Sequence, residues 1–277
     1  MLASLIGQRN IYTPGSLEST IAYLSRTWRD QGYEVREQPY EIGQMMVRNL
    51  EVEIRGATRP GEIVIVGAHY DTPLGIPGAN DNASGVAAML EISRLLRQST
   101  PARTLQFVAF VNEEPPFFQT QAMGSLVYAG RCTQRNENVL AMIAMETIGF
   151  YTDAPNSQQY PPPLAMLYPS SGNFIACVGN LASLRLVQRC VGSFRAHAQF
   201  PSEAGVAPEC IPGVGWSDHW SFWQQGYPAI MVTDTTPFRY PHYHQPTDTP
   251  DKLDYDRTAR VVAGSSCVVS DLTNQAA

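Results

Sequence analysis

One segment constrains the fold more than any other: an uninterrupted apolar run that leads directly into polar residues. Residues 63–66 read Ile-Val-Ile-Val, and His69 and Asp71 follow within five positions. A strand without polar alternation is buried on both faces, which is typical of a central strand in a mostly parallel sheet. The run therefore predicts an α/β protein with helices on both sides of the sheet.

Two later apolar segments repeat this pattern. Residues 105–111 lead into Glu113 and Glu114, and residues 141–145 lead into Glu146. Apolar spacing predicts further strands at 35–40, 49–55 and 229–232, and helices at 16–31, 85–97, 181–191 and 257–272. This alternation predicts a three-layer α/β/α sandwich with a mostly parallel mixed central sheet, formed by a single domain over residues 1–277.

Composition excludes several classes of function. The 277 residues carry a formal net charge of -6 and contain no Lys/Arg-rich run, so we expect no binding to nucleic acid. No window is apolar enough to span a bilayer, and the first residues do not show a basic segment followed by an apolar one, the pattern of an export signal. We expect a cytoplasmic protein, or an exported one whose signal is not in this sequence. The five scattered cysteines form no C-x-x-C pair, although one disulfide stays open, as does the oligomeric state.

The polar residues at the strand ends predict a ligand site, because such sites lie beyond the carboxyl ends of strands in open α/β sheets. A polar residue at any one strand end is unremarkable, but three such ends make coincidence a weak explanation. In the His-x-Asp pair, Asp71 is placed to accept the proton of the His69 ring nitrogen that does not face a metal. This arrangement favours a metal site.

Two acidic features add to this interpretation. Asp81 comes just before the predicted helix at 85–97 and could instead cap it, although Ser84 could serve that purpose. Glu113 and Glu114 are adjacent, and burying both is costly unless a cation or a proton separates their roles. One of them would then bind a metal and the other would act as a general base.

The five histidines are few enough to consider singly. His197 lies in a polar stretch and is expected at the surface. His219, His242 and His244 lie in two aromatic-rich loops close to the predicted strand at 229–232. Neutral imidazole is a common metal ligand, so each of these three stays a candidate.

Together these segments resemble the co-catalytic di-zinc aminopeptidase family, which consists of zinc exopeptidases related to bacterial leucyl aminopeptidases, glutamate carboxypeptidase-like enzymes and glutaminyl cyclases. The matching text follows the family order: HYDT from position 69, GANDNASG from 78, NEE from 112, GS from 124, SDH from 217, YH from 243 and DTPDKL from 248. The matches extend across nearly the whole chain. The resemblance implies a fold of the zinc-exopeptidase type and a metallopeptidase that uses two Zn²⁺ ions per chain.

The resemblance also assigns roles. The metal ligands that it implies are His69, Asp81, Glu114, Glu146 and His244. Asp81 would bridge both ions, with His69 and Glu146 on one ion and Glu114 and His244 on the other. The catalytic residues that it implies are Glu113 as general base for a zinc-bound hydroxide, Asp71 as the residue that orients His69, and Tyr243 as a hydrogen-bond donor to the oxyanion. It further implies a non-proline cis peptide after Asp81.

Two departures from the family pattern bear on these roles. Position 146 carries Glu where the best-known aminopeptidases carry Asp. The segment 115–123 is an apolar insertion that would either shape the substrate pocket or form a surface loop without contact to substrate. Apart from these departures, His242 is the nearby rival of His244 as a ligand.

An aminopeptidase acting on a peptide or a small aminoacyl substrate is the function that we expect. Its amine and side-chain contacts could come from Glu146, Asp218, Trp216, Trp220 or Phe222. A single-zinc glutaminyl cyclase-like acyltransferase is the first alternative, and Tyr243 argues against it because those relatives usually carry Trp there. A di-zinc carboxypeptidase would need a basic pocket, for which the available residues are Arg131, Arg135, Arg195 and Arg239. A non-enzymatic receptor-like module would have lost the metal ligands that are present here.

Overall fold

The computed structural model describes residues 1–162 and 164–274. The strands are β1 (Arg36–Ile42), β2 (Met45–Ile54), β3 (Arg59–His69), β4 (Arg103–Phe110), β5 (Asn138–Glu146), β6 (Ile175–Gly179), β7 (Ser202–Val206) and β8 (Ala229–Thr233). The helices are α1 (Ser16–Asp30), α2 (Gly85–Leu96), α3 (Gly124–Gln134), α4 (Leu184–His197), α5 (His219–Trp223) and α6 (Tyr255–Asn274).

The strands form one eight-stranded sheet in the order β1-β2-β4-β3-β5-β8-β6-β7. Four pairs are parallel, namely β3 with β4, β3 with β5, β5 with β8 and β6 with β7. The other three pairs are antiparallel. The predicted mixed, mostly parallel sheet is confirmed, and the carboxyl ends of β3, β4, β5 and β8 therefore lie at one edge.

Two apolar cores cover the two faces of the sheet, and β3 contributes to both. Val64 and Val66 belong to a larger core with α1, α2, α4 and α6, whereas Ile63 and Ile65 belong to a smaller core with α3 and α5. Successive side chains of a strand point to opposite faces, so a strand between two cores needs apolar residues at every position. This confirms the three-layer sandwich.

Four elements have no counterpart among the predicted ones: β6, β7, α3 and α5. Three of them have only five residues each, too few to show a periodic pattern. The five cysteines all lie in the described part of the chain and are free. Within residues 1–162 and 164–274, none of the helices combines the length and the apolar character that crossing a membrane requires.

Candidate metal centre

The five candidate metal ligands converge at the edge of the sheet formed by the carboxyl ends of its parallel strands. His69 and Glu146 are the last residues of β3 and β5, and Glu114 follows β4. Asp81 lies in the loop before α2, and His244 lies in the loop after β8. The donor atoms of these five residues and of Glu113 form three groups, each with all its donor atoms within 4.8 Å of one another: His69–Asp81–Glu146, Asp81–Glu114–His244 and His69–Glu113–Glu114.

Asp81 stands between the first two of these groups. Its Oδ1 lies 3.4 Å from Nε2 of His69, and its Oδ2 lies 3.1 Å from Nε2 of His244. The remaining member of each group is equally close, with Glu146 Oε2 at 3.2 Å from His69 Nε2 and Glu114 Oε2 at 3.3 Å from His244 Nε2. A carboxylate whose two oxygens face separate donor groups has the geometry of a bridging ligand.

Backbone contacts fix the loop that carries Asp81. The Asp81–Asn82 peptide is cis, as the family resemblance implies. The side chain of Asp248 holds the segment just before this bond, because its Oδ1 accepts the Asn80 N–H at 2.9 Å and its Oδ2 accepts the Asp81 N–H at 3.1 Å. Asp248 belongs to the matched text after His244, but its contacts with this loop are visible only in the fold.

The side chain of Asn82, and not that of Asp81, contacts the first turn of α2. Its Oδ1 accepts the N–H of Gly85, the first residue of α2, at 3.0 Å, and also the N–H of Thr147 at 3.0 Å. The hydroxyl of Ser84 instead donates to the Asn80 carbonyl. Neither Asp81 nor Ser84 therefore caps the helix, and Asn82 links the loop to the end of β5.

Asp71 contacts the glutamate pair more closely than it contacts the histidine. Its two oxygens accept the backbone N–H groups of Glu113 and Glu114, each at 3.1 Å. Its Oδ1 lies 3.6 Å from Nδ1 of His69, which is longer than a hydrogen bond. Asp71 thus faces the outer nitrogen of His69, as the His-x-Asp spacing predicts, while it holds the backbone that presents both glutamates.

The electrostatics of the site favour bound positive charge. Burial, followed by the charge of Asp81, raises the pKa of Glu114 to about 8. Burial also raises the pKa of Glu113 and of Glu146. Burial lowers the pKa of His244, but Asp81 and Glu114 outweigh it and bring that pKa to about 10. Without a cation, this cluster retains protons that it would release in water.

Several buried donor atoms of the cluster have no hydrogen-bond partner among the described residues: both ring nitrogens of His69, Oε1 of Glu114 and Nε2 of His244. Buried polar atoms are almost always satisfied, so such a concentration at one point calls for a missing partner. Imidazole nitrogens and carboxylate oxygens without thiolate are the ligands of catalytic zinc sites. The residues therefore fit a pair of divalent cations such as zinc.

The remaining candidate residues differ in whether they contact the metal centre. Tyr243 stacks on the ring of His244 with centroids 3.9 Å apart. His242 directs its Nδ1 to Thr247 at 2.8 Å and belongs to none of the three donor groups. His219 is buried with its Nε2 2.7 Å from the Val214 carbonyl oxygen. Ser217, which had no predicted role, donates its hydroxyl to Oε2 of Glu146 at 2.7 Å.

A cavity of about 110 Å³ opens beside the donor groups, with Glu146 and Tyr243 in its wall. Its floor is the face of the sheet formed by residues of β8, β6 and β7, including Met231, Val178 and Gly205. Several aromatic side chains line its wall: Tyr160, Tyr168, Phe174, Trp216, Phe238 and Tyr243. No Lys or Arg side chain of the described chain lines this cavity.

Of the predicted substrate contacts, Glu146 and Trp216 line the cavity. Asp218 and Phe222 are fully buried and do not line the cavity, and Trp220 packs against the smaller core. The insertion at 115–123 does not line the cavity, although its Gln119 donates to the Gly215 carbonyl at 3.1 Å, next to Trp216. The insertion is therefore joined to the cavity wall only through the neighbour of a lining residue.

The predicted arginines hold partners outside the cavity. Arg131 pairs with Glu51 at 2.8 Å, and Arg135 lies 3.8 Å from Glu137. Arg195 bonds to Ser202. Arg239 lies behind the cavity wall, where it donates to Gln158 and to the Phe174 carbonyl.

Comparison with known proteins agrees with this geometry. The model of a family described as "Peptidase family M28" matches residues 49–268 of the chain. The chain belongs to peptidase family M28. It is 38% identical over 272 residues to the Escherichia coli protein named "Uncharacterized protein YfbL", which covers 95% of this chain and 83% of that protein.

Two further similar proteins have names that describe an activity. A "Probable leucine aminopeptidase" of Arthroderma benhamiae is 30% identical over 217 residues, which cover 72% of this chain and 52% of that protein. The chain thus spans about half the length of this fungal relative. The zinc aminopeptidase BSAP from Bacillus subtilis superposes with a TM-score of 0.76 at 14% identity, covering 100% of this chain and 94% of that one. This likeness confirms the zinc-exopeptidase fold.

Proposed function

We propose that this M28 chain is a zinc aminopeptidase with two ions per chain. The observation that carries the proposal is the arrangement around Asp81, whose two oxygens face one histidine each. His69, Asp81 and Glu146 would hold one ion, and Asp81, Glu114 and His244 would hold the other. When bound, zinc supplies Lewis acidity to the substrate carbonyl and to the attacking water. Names of relatives at 30% and 25% identity include an aminopeptidase and a zinc metalloprotease, in line with this assignment.

Glu113 is the general base in this proposal. Its Oε2 lies 3.9 Å from Nε2 of His69, and its carboxylate belongs to the third donor group but to neither of the two groups that share Asp81. A carboxylate in that position takes the proton of the attacking water and delivers it to the leaving amine. Burial raises the pKa of Glu113, and nearby cations would bring it back towards its ordinary range.

Tyr243 supplies the donor for the developing oxyanion. Burial, followed by the charges of Asp81 and Glu114, raises the pKa of its phenol, so the hydroxyl keeps its proton at neutral pH. The ring is held by its stacking on His244. A fixed donor that meets the oxyanion where charge develops lowers the barrier without reorganisation.

The cavity favours removal of residues from the amino end of a peptide. An α-ammonium group is attracted by a carboxylate, and Glu146 lines the cavity. A terminal carboxylate would need a cationic partner, and the described lining residues include neither Lys nor Arg. The aromatic wall and the apolar floor suit a large apolar side chain at the first position.

Two peptides with opposite ends blocked test this proposal. The tripeptide amide Phe-Ala-Ala-NH₂ has a free amine only, and acetyl-Phe-Ala-Ala has a free carboxylate only. The zinc-loaded enzyme should release Phe from the first peptide and leave the second intact, and Glu113→Gln should lower the rate by about 10²- to 10⁴-fold. Cleavage of the acetylated peptide would indicate a carboxypeptidase. Pyroglutamate formed from an N-terminal Gln peptide would indicate a cyclase.

A further inference from the structure

Arg9 is the most unusual buried charge outside the groups used above. Its side chain is completely buried, with 0% of the residue exposed. All four guanidinium hydrogen bonds that the structure describes end on backbone carbonyl oxygens: those of Gly7, Tyr70, Pro77 and Gly78. Buried charges are normally paired with an opposite charge. A buried guanidinium group whose hydrogen bonds all go to backbone carbonyl groups therefore indicates a role in fixing the backbone.

The carbonyl groups that Arg9 contacts belong to the loop between two candidate ligands. Nε donates to the Tyr70 carbonyl at 2.7 Å, one residue after His69. The Nη1 and Nη2 atoms donate to the Pro77 and Gly78 carbonyls at 2.7 and 3.0 Å, three to four residues before Asp81. A single planar group thus joins both ends of the segment 70–78.

The backbone of Arg9 adds a third attachment in the middle of this segment. Its N–H donates to Oγ1 of Thr72 at 2.9 Å, and its carbonyl accepts the N–H of Thr72 at 2.8 Å. Thr72 follows Asp71, whose oxygens hold the amides of the glutamate pair. Arg9 itself lies before residues 49–268, the part that matches the family description, whereas the segment 70–78 lies within that part.

We propose that Arg9 is a positioning residue for the metal centre: by joining both ends of the segment 70–78, it sets the separation of His69 and Asp81 that cation binding requires. The proposal rests on the metal site proposed above. Residues that orient metal ligands from outside the coordination sphere contribute about 10- to 100-fold to metal affinity.

The positive charge of Arg9 should lower zinc affinity, whereas its hydrogen bonds to the segment 70–78 should raise it. Substitutions can therefore separate the two effects. Burial lowers the pKa of Arg9 to about 10, so it stays protonated at neutral pH, within reach of Asp71 and Asp81. A fixed positive charge near a cation site weakens cation binding. Arg9→Lys keeps the charge and removes the planar fork, whereas Arg9→Met removes both. A purely electrostatic role therefore predicts unchanged affinity for Lys and tighter binding for Met.

The test is the zinc affinity of the metal-free chain, measured by competition with a chromophoric chelator, together with the unfolding temperature with and without zinc. Arg9→Lys should bind zinc about 10- to 100-fold more weakly and gain less unfolding temperature from zinc. Arg103→Lys is the matched control, because Arg103 is also fully buried and bonds to Glu62 and to the Leu272 carbonyl at the amino end of β4. It should lower the unfolding temperature and leave zinc affinity unchanged.

The outcomes separate cleanly. Arg9→Lys with wild-type zinc affinity would overturn the inference, whatever its effect on the unfolding temperature. If Arg9→Lys does not fold, the zinc affinity of Thr72→Val tests the same inference. This substitution removes the hydroxyl that accepts the Arg9 N–H, so it should weaken zinc binding several-fold, and unchanged zinc affinity would overturn the inference. A wild-type chain that binds no zinc would instead refute the proposed metal centre itself.

Discussion

Removal of zinc should make the folded chain lose stability as the pH rises from about 5 to about 8. In the metal-free protein the pKa of Glu114 is raised to about 8, chiefly by burial, and that of His244 is raised to about 10 by Asp81 and Glu114 against the effect of burial. A group whose folded pKa exceeds its unfolded pKa stabilises the fold fully below the unfolded value. That stabilisation disappears as the pH rises through the folded value.

The magnitude follows from the pH window. The ordinary pKa of Glu114 is 4.5, so its contribution is lost between about pH 4.5 and 8. Each unit of this interval corresponds to about 1.4 kcal/mol, which gives about 4 kcal/mol for Glu114 between pH 5 and 8. For a chain of this size that amounts to a fall of roughly 10 °C in the unfolding temperature. The lowered pKa of Asp81 has the opposite effect only below its ordinary value of 3.8, outside this range. Burial lowers the pKa of His219 from 6.5 to about 4, so this group offsets part of the loss below pH 6.5.

Differential scanning calorimetry on chelator-treated and zinc-loaded protein measures this effect. Zinc replaces the retained protons, so the stabilisation by zinc should grow with pH. Glu114→Gln should flatten the slope of the metal-free protein, because glutamine does not titrate. An unfolding temperature of the metal-free protein that stays constant or rises between pH 5 and 8 would refute the reasoning.

Three substitutions test other parts of the site. Gly205→Val adds a side chain to the cavity floor, where its Cβ meets Val178 at an ordinary 3.4 Å, and should lower kcat/KM for a phenylalanyl substrate about 10- to 100-fold more than for an alanyl one. Ala204→Val faces the larger core and should leave that ratio unchanged. Tyr243→Phe should lower kcat by about 100-fold, and a change confined to KM would contradict its role. His242→Ala should keep zinc content and kcat, and loss of zinc would make it a ligand.

The strand-end residues of the site could be predicted because each follows a signal that is local in the sequence. His69, Glu114 and Glu146 come after predominantly apolar runs, and parallel pairing brings the ends of such strands to one edge of the sheet. The alternation of Val64 and Ile65 between two cores could be anticipated for the same reason. These predictions needed only the period of a strand and the burial of its faces.

The loop contacts could not be predicted, because they join positions far apart in the chain. Asp248 holds the amide of Asp81, and the side chain of Asn82 accepts the first N–H of α2, although the sequence offers only Asp81 or Ser84 as possible caps. His244 reaches the centre from a loop with a backbone φ of 53°, which no local pattern indicates. The attachment of Arg9 to the segment 70–78 likewise depends on the folded positions of both.

The central claim is a two-ion centre that shares Asp81, and zinc content per chain tests it most directly. The measurement is elemental analysis of dialysed wild-type protein beside Glu146→Ala and His244→Ala, each of which removes a donor from one side of Asp81. The account predicts two zinc ions in the wild type and one in each variant. A single zinc in an active wild-type preparation, or two in either variant, would contradict it.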